Sequence, residues 1–218
     1  MSTSLRLALA APGEAGDLAA FLGRQLRWDK TAAARLQADG EVVAVFTRPA
    51  RFDVLAVRPC RLGEPARLDV TVSAGELLEA IDDEHGALTV PGAVTGPSWA
   101  GVLPPRGGWR PVSEVPHETL REAAAGVVAE FRERTEALPP EGRTRAALDT
   151  LAEEIWSRTL HGTPLPLRAV HAAHALGFLR AAAPATLLSR GPWLRLRTPL
   201  GSIAVRRGGL PGLGVTPL

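Results

Sequence analysis

Between residues 67 and 72 the chain alternates, Leu68, Val70 and Val72 against Arg67, Asp69 and Thr71, the period of a strand with one buried and one wet face. Shorter runs at 5–10, 33–39, 41–47 and 53–58 also predict strands. Asp39-Gly40, Arg48-Pro49 and Gly63 to Pro65 separate them with turn chemistry, and Asp39-Gly40 is the clearest hairpin signal. After Pro12, Leu18, Phe21, Leu22 and Leu26 recur at helical spacing. Ser73 with Glu76 matches a capping box opening a second helix through Leu77, Leu78 and Ile81. The echo of Thr47-Arg48-Pro49-Ala50-Arg51 in Val57-Arg58-Pro59-Cys60-Arg61 fits turns in an antiparallel meander.

From about residue 117 the period changes. Leu120, Ala124, Val127, Val128, Phe131 and Leu138 form one stripe of a long helix over 117–138, and Pro139-Pro140 stops it. A second helix over 143–160 presents Ala147, Leu148, Leu151, Ile155 and Trp156, so the two can form an antiparallel helical hairpin, and a third helix follows over 164–180. Residues 193–207 then predict a β-hairpin about Thr198-Pro199-Leu200-Gly201. If Arg197 pairs with Ser202, then Leu194, Leu196, Ile203 and Val205 share an apolar face. Trp193, Arg195, Arg197 and Arg206 share the other, with Arg206 opposite Trp193 at cation–π range.

The fold expected is α+β: an antiparallel-sheet domain with short helices over 1–90, a Gly/Pro/Trp-rich connection over 91–115, a helical domain ending in a β-hairpin over 116–207, and a flexible tail over 208–218. Three helices followed by a basic hairpin resemble the element order of a winged helix. That resemblance covers about 90 residues, has no diagnostic motif behind it, and implies a hairpin free to lie against phosphates. Two features oppose it: the second and third helices are long for a helix-turn-helix, and the third offers only Arg168, His171 and His174 as base-reading side chains.

Composition bounds the chemistry. At 218 residues a chain buries about 70% of the surface it exposes unfolded, so it needs no disulfide framework. The single Cys60 can form neither an intramolecular bridge nor a Cys-based zinc site, which points to a reducing, cytoplasmic setting. No apolar run reaches the roughly 18 residues of a membrane span, so no membrane partner is expected.

Charge is segregated despite a net of +2. All 23 acids lie at or before Glu154, giving the first 154 residues −6, whereas residues 155–218 hold eight arginines and no carboxylate. Such asymmetry calls for an anionic partner or for docking of one half on the other. Arginine excess alone does not mark a phosphate site, because Lys30 is the one lysine among 25 basic residues, a bias expected of GC-rich coding.

The candidate anion or nucleic-acid contacts are therefore Arg190, Arg195, Arg197, Arg206 and Arg207, and the candidate ligand contacts at the junction are Trp99 and Trp109. Other constellations read as structural. His171 and His174 share a helix face with His161 upstream, but a zinc site needs a third converging ligand. Asp82-Asp83-Glu84-His85 lacks the spaced oxygens of a calcium loop, and Ser98 lacks the second glycine of a nucleophile elbow. Arg58 and Arg61 flank Cys60 and would favour its thiolate if it were exposed. Phosphate-loop, dinucleotide and zinc-protease motifs are absent, so no catalytic residue, metal or cofactor is assigned. The expected function is a non-enzymatic interaction or regulatory protein meeting nucleic acid or an acidic protein surface, with oligomerisation open. The alternatives are a winged-helix-like DNA binder and a small-molecule enzyme with its pocket at the junction.

Overall fold

The computed structural model describes residues 5–11 and 13–207. Residues 193–206 form the hairpin that the alternation requires, β8 (Trp193–Thr198) and β9 (Gly201–Arg206), in the anticipated register: Trp193 with Arg206, Leu194 with Val205, Leu196 with Ile203 and Arg197 with Ser202. Its surroundings differ from expectation. β9 pairs with β3 (Leu55–Ser73), and β8 pairs with β7 (Ala185–Arg190), so the hairpin is the centre of a six-stranded antiparallel sheet rather than a projecting wing. The remaining strands are β2 (Ala33–Thr47) and β6 (Arg110–Val115), and the order is β2-β3-β9-β8-β7-β6. The winged-helix-like order is not confirmed: the hairpin follows three helices, but it is flanked by β3 and β7 inside the sheet and does not project as a wing.

A second, three-stranded sheet joins β1 (Arg6–Ala8), β4 (Ile81–Asp82) and β5 (Ala87–Thr89) in the order β1-β5-β4. Among the described residues five α-helices complete an α+β fold: α1 (Glu14–Leu26), α2 (Ala74–Glu79), α3 (His117–Ala137), α4 (Arg145–Ser157) and α5 (Leu167–Ala175). Ser73 caps α2, its Oγ accepting the Glu76 N–H at 3.4 Å, and Thr144 caps α4 in the same way from Ala147 at 3.2 Å. No helix among the described residues is long and apolar enough to cross a membrane. The expected flexible tail at 208–218 and the role of Pro12 lie outside the described residues.

The turn expected at Asp39-Gly40 is corrected. β2 runs straight through it for 15 residues, and Gly40, at φ 106°, serves a bulge where the register slips, opposite Leu62 to Pro65 of the 19-residue β3. A positive-φ glycine suits a bulge as well as a turn, so local chemistry could not separate the two. The connection likewise holds more order than expected: Ser98–Gly101 is a single 3₁₀ turn, and 110–115 is strand β6.

One face of the large sheet is the principal core. Leu194, Leu196, Ile203 and Val205 pack there with Leu18, Phe21 and Leu22 of α1, Leu120 of α3 and Val170 of α5, so both ends of the sequence share one apolar interior. Each such side chain contributes about 1.5–3 kcal/mol on full burial. The opposite face is covered by the connection, where Trp99 lies with Phe46, Leu55, Val57, Trp193 and Ala204.

Candidate functional site

Three of the eight C-terminal arginines meet carboxylates from earlier in the chain: Arg158 with Glu130 at 2.5 Å, Arg168 with Glu153 at 2.5 Å and Arg180 with Asp17 at 3.5 Å. The internal-docking half of the charge argument thus applies to these three arginines. Among the described residues, Arg190, Arg197, Arg206 and Arg207 have no carboxylate oxygen within 4.0 Å. Three of these four gather at one end of the sheet. Arg190 and Arg206 sit on either side of Trp193 in the ladder, and the Arg207 N–H donates to the Pro192 carbonyl at 2.7 Å in the turn between β7 and β8. Arg197 is at the opposite end of β8.

Arg195 takes a third course. Its guanidinium lies 5.7 Å from the Trp109 ring centroid, under the connection that covers this face. Burial lowers its pKa from the usual arginine range, and the neighbouring Arg197 charge adds to that. The cation–π contact expected between Arg206 and Trp193 is therefore corrected to Arg195 and Trp109. Cross-strand register places Arg206 beside Trp193, but the loop brings Trp109 over Arg195 from outside the hairpin. Trp109 Nε1–H donates to the Pro105 carbonyl at 2.9 Å, and Gly108, at φ 74°, passes so close to Arg190 that a Cβ there would stand 3.0 Å from its Cζ. Trp99 is 8% exposed.

A cleft of about 410 Å³ opens where the β2–β3 turn, the end of α4, the start of α5 and the arginine end of the hairpin meet. Its walls include Asp53, Glu153, Ser157, Thr159, Arg168, Arg206 and Arg207, with Leu194 and Val205 behind them. Each element has a local reason to be there. Thr159 pairs with Pro166 in an isolated β-bridge that closes the α4–α5 loop, and Arg168 sits in the first turn of α5, tied back to Glu153 of α4. Asp53 stands at φ 48° and Arg51 at φ 73°, both left-handed without being glycine, and Arg48 holds the Asp53 carboxylate at 2.9 Å. Sequence reasoning singled out Arg206 and Arg207 but gave no role here to Asp53, Ser157 or Thr159. Only the packing of a distant turn against α4 and α5 unites them. A second hollow of about 500 Å³ lies along α3, floored by Ala124, Ala125, Val128 and Ala129.

The other residues weighed from sequence have structural surroundings. Cys60 is fully buried, and burial pushes its thiol up to about 12, the reverse of an activated nucleophile. His171 accepts a hydrogen bond at Nδ1 from Trp156 Nε1–H at 2.6 Å and meets Phe52 edge-on at 5.2 Å. Burial, with a smaller contribution from His174, holds its pKa down to about 4. It is the middle of a run of rings, Trp28, Phe52, His171, Trp156 and Phe131, that joins the β2–β3 turn to three helices. Asp82 is held at about 2 by hydrogen bonds from His85 and Arg6. Ser98 is exposed in its 3₁₀ turn. Among the described residues no three His, Cys, Asp or Glu side chains converge as metal ligands.

Residues 2–101 match a family described as a domain of unknown function, DUF8010, and residues 104–210 match a second, DUF8185. The seam between the two matches falls in the connection between Trp99 and Trp109, while the six-stranded sheet draws strands from both. No curated protein matches the chain.

Proposed function

We propose that the chain is a non-enzymatic interaction protein that docks an acidic partner surface on the arginines its own carboxylates leave unmatched. One observation carries this reading: Arg190, Arg206 and Arg207 gather at one end of the sheet with no carboxylate within 4.0 Å among the described residues, while Arg158, Arg168 and Arg180 each have one. Guanidinium groups in this position attract carboxylates over about a Debye length, roughly 10 Å at 0.1 M salt, and form bidentate contacts on docking. The division into 1–90, 91–115, 116–207 and 208–218 belongs to the same reading, with two modules sharing a sheet and the connection lying over it. So does a cytoplasmic setting, which the single buried Cys60 supports.

Fluorescence anisotropy with labelled poly-L-glutamate at low salt tests it. The full chain should bind, added salt should weaken binding steeply, and R190A/R206A/R207A should abolish it, whereas R132A on α3 should bind like the parent. Absence of binding, or binding indifferent to the triple substitution, overturns the reading. Tighter binding of mixed-sequence duplex DNA than of polyglutamate overturns it in favour of a nucleic-acid partner.

A further inference from the structure

The two edges of the large sheet are built differently. β6 ends one side, and its pairing with β7 is broken by a bulge between Pro111 and Ser113, with Arg110 and Glu114 exposed beside it. A proline, a bulge and charges are the devices that keep a sheet edge from pairing with another chain. β2 ends the other side over 15 residues and contains neither proline nor lysine. Its half from Ala33 to Gly40 pairs with Ser73 to Ala66 of β3 without interruption, and the register shift comes after it, between Gly40 and Val42. Among the described residues no backbone group outside β3 bonds this half. Alternate residues of an antiparallel strand turn their N–H and C=O groups to either side, so one row of these groups faces outward along the stretch.

We propose that this edge pairs with the same edge of a second copy of the chain, antiparallel, in a register centred on Gln37. Ala34, Leu36 and Ala38 are buried in the principal core, so Arg35, Gln37 and Asp39 lie on the opposite face of the sheet. A twofold axis at Gln37 sets Leu36 opposite Ala38 of the second copy on the core side and Arg35 opposite Asp39 of the second copy on the other. Unlike charges thus face each other twice. Both already have partners within the chain, Arg35 with Asp69 at 2.8 Å and Asp39 with Arg67 at 3.4 Å, so the charges select the register while backbone hydrogen bonds supply the association. An axis at Gly40 would instead set Asp39 against Glu41, a like-charged cross-strand pair. Because the strand carries both signs, it matches its own copy better than a uniformly acidic or basic peptide. The blunted β6 edge ends growth of the sheet, so the contact closes as a symmetric dimer rather than a filament.

The inference uses none of the arginines of the acidic-partner surface and stands or falls apart from that reading. Sedimentation of the full chain at about 100 µM should give a particle of twice 23.0 kDa. Asp39→Lys, at an exposed side chain, sets lysine opposite Arg35 at both symmetric positions and should weaken self-association at least about tenfold. Gln37→Cys places a thiol on the axis, opposite its own copy with Cβ atoms about 4.5–5.5 Å apart, so mild oxidation should cross-link it. Val42→Cys, 43% exposed on the same strand, lies roughly 30 Å from its copy in this register and should stay uncross-linked, as should the parent, whose Cys60 is buried. A monomeric parent at that concentration overturns the inference, even if an extended peptide binds along this edge. Parental self-association in Asp39→Lys, or cross-linking of Val42→Cys equal to that of Gln37→Cys, overturns it as well.

Discussion

Arg58 and Arg206 belong to neighbouring strands of one sheet and have opposite surroundings. Arg58 points into the core side of β3, opposite Val45, with 8% of its side chain exposed. It meets Asp17 at 3.1 Å and Glu14 at 3.5 Å and donates to the Leu200 carbonyl at 2.5 Å. One side chain thus ties α1 to the turn between β8 and β9, joining early and late parts of the sequence. Arg206, with Arg190 and Arg207, lies at the other end of the hairpin with no carboxylate within 4.0 Å among the described residues. The same guanidinium serves as an internal clamp where carboxylates were built around it and is left for an outside anion where they were not. Arginine number and sequence position do not distinguish the two; the partners do.

Removing the clamp should have the largest effect. Arg58→Met leaves Glu14 and the Leu200 carbonyl without their cation, and breaking a buried pair from one side costs about 3–5 kcal/mol; the partial exposure of Asp17 moves the expectation to about 3 kcal/mol. Urea unfolding at pH 7 measures it, and a loss below about 1 kcal/mol would mean that Arg58 is no clamp. Next comes the turn it grips. A Cβ at Gly201 would stand 2.6 Å from the Phe178 ring, which itself stacks on Phe21 at 5.5 Å, so Gly201→Ala should cost about 1–3 kcal/mol by overpacking. The smallest change belongs to the arginine end: R206A/R207A should alter the unfolding free energy by less than about 0.5 kcal/mol while weakening polyglutamate binding. Destabilisation there comparable to Arg58→Met would dissolve the contrast.

The two hairpins of the sheet also differ in how far their sequences disclose them. β8 and β9 are short, alternate strictly and meet at a four-residue turn, so the turn at Thr198 to Gly201 together with the alternation of Leu194, Leu196, Ile203 and Val205 gave their register. β2 and β3 are interrupted by Gly40 and by Gly63 to Pro65, and each read as two strands because a bulge and a turn call on the same residues. The helices over 117–137, 145–157 and 167–175 were legible from their apolar stripes and proline boundaries, although the third ends earlier than its spacing suggested, at Ala175, ahead of Gly177 at φ 81°. Of the candidate site, the arginines were visible as charge. The cleft was not, because Asp53 and Arg168 are more than a hundred positions apart and meet only through the packing of a strained turn on two helices.

The pairing of Leu55, Ala56 and Val57 with Ala204, Ile203 and Ser202 has a consequence for biosynthesis. Until the last of those partners leaves the ribosome, the inner edge of β3 has no neighbour, and the β2–β3 ribbon must wait with one row of backbone amides and carbonyls open. At about 5–20 residues per second, the roughly 150 intervening residues impose a delay of many seconds during which that edge can pair wrongly. A nascent chain stalled before β9 is therefore the state in which this protein most needs a chaperone.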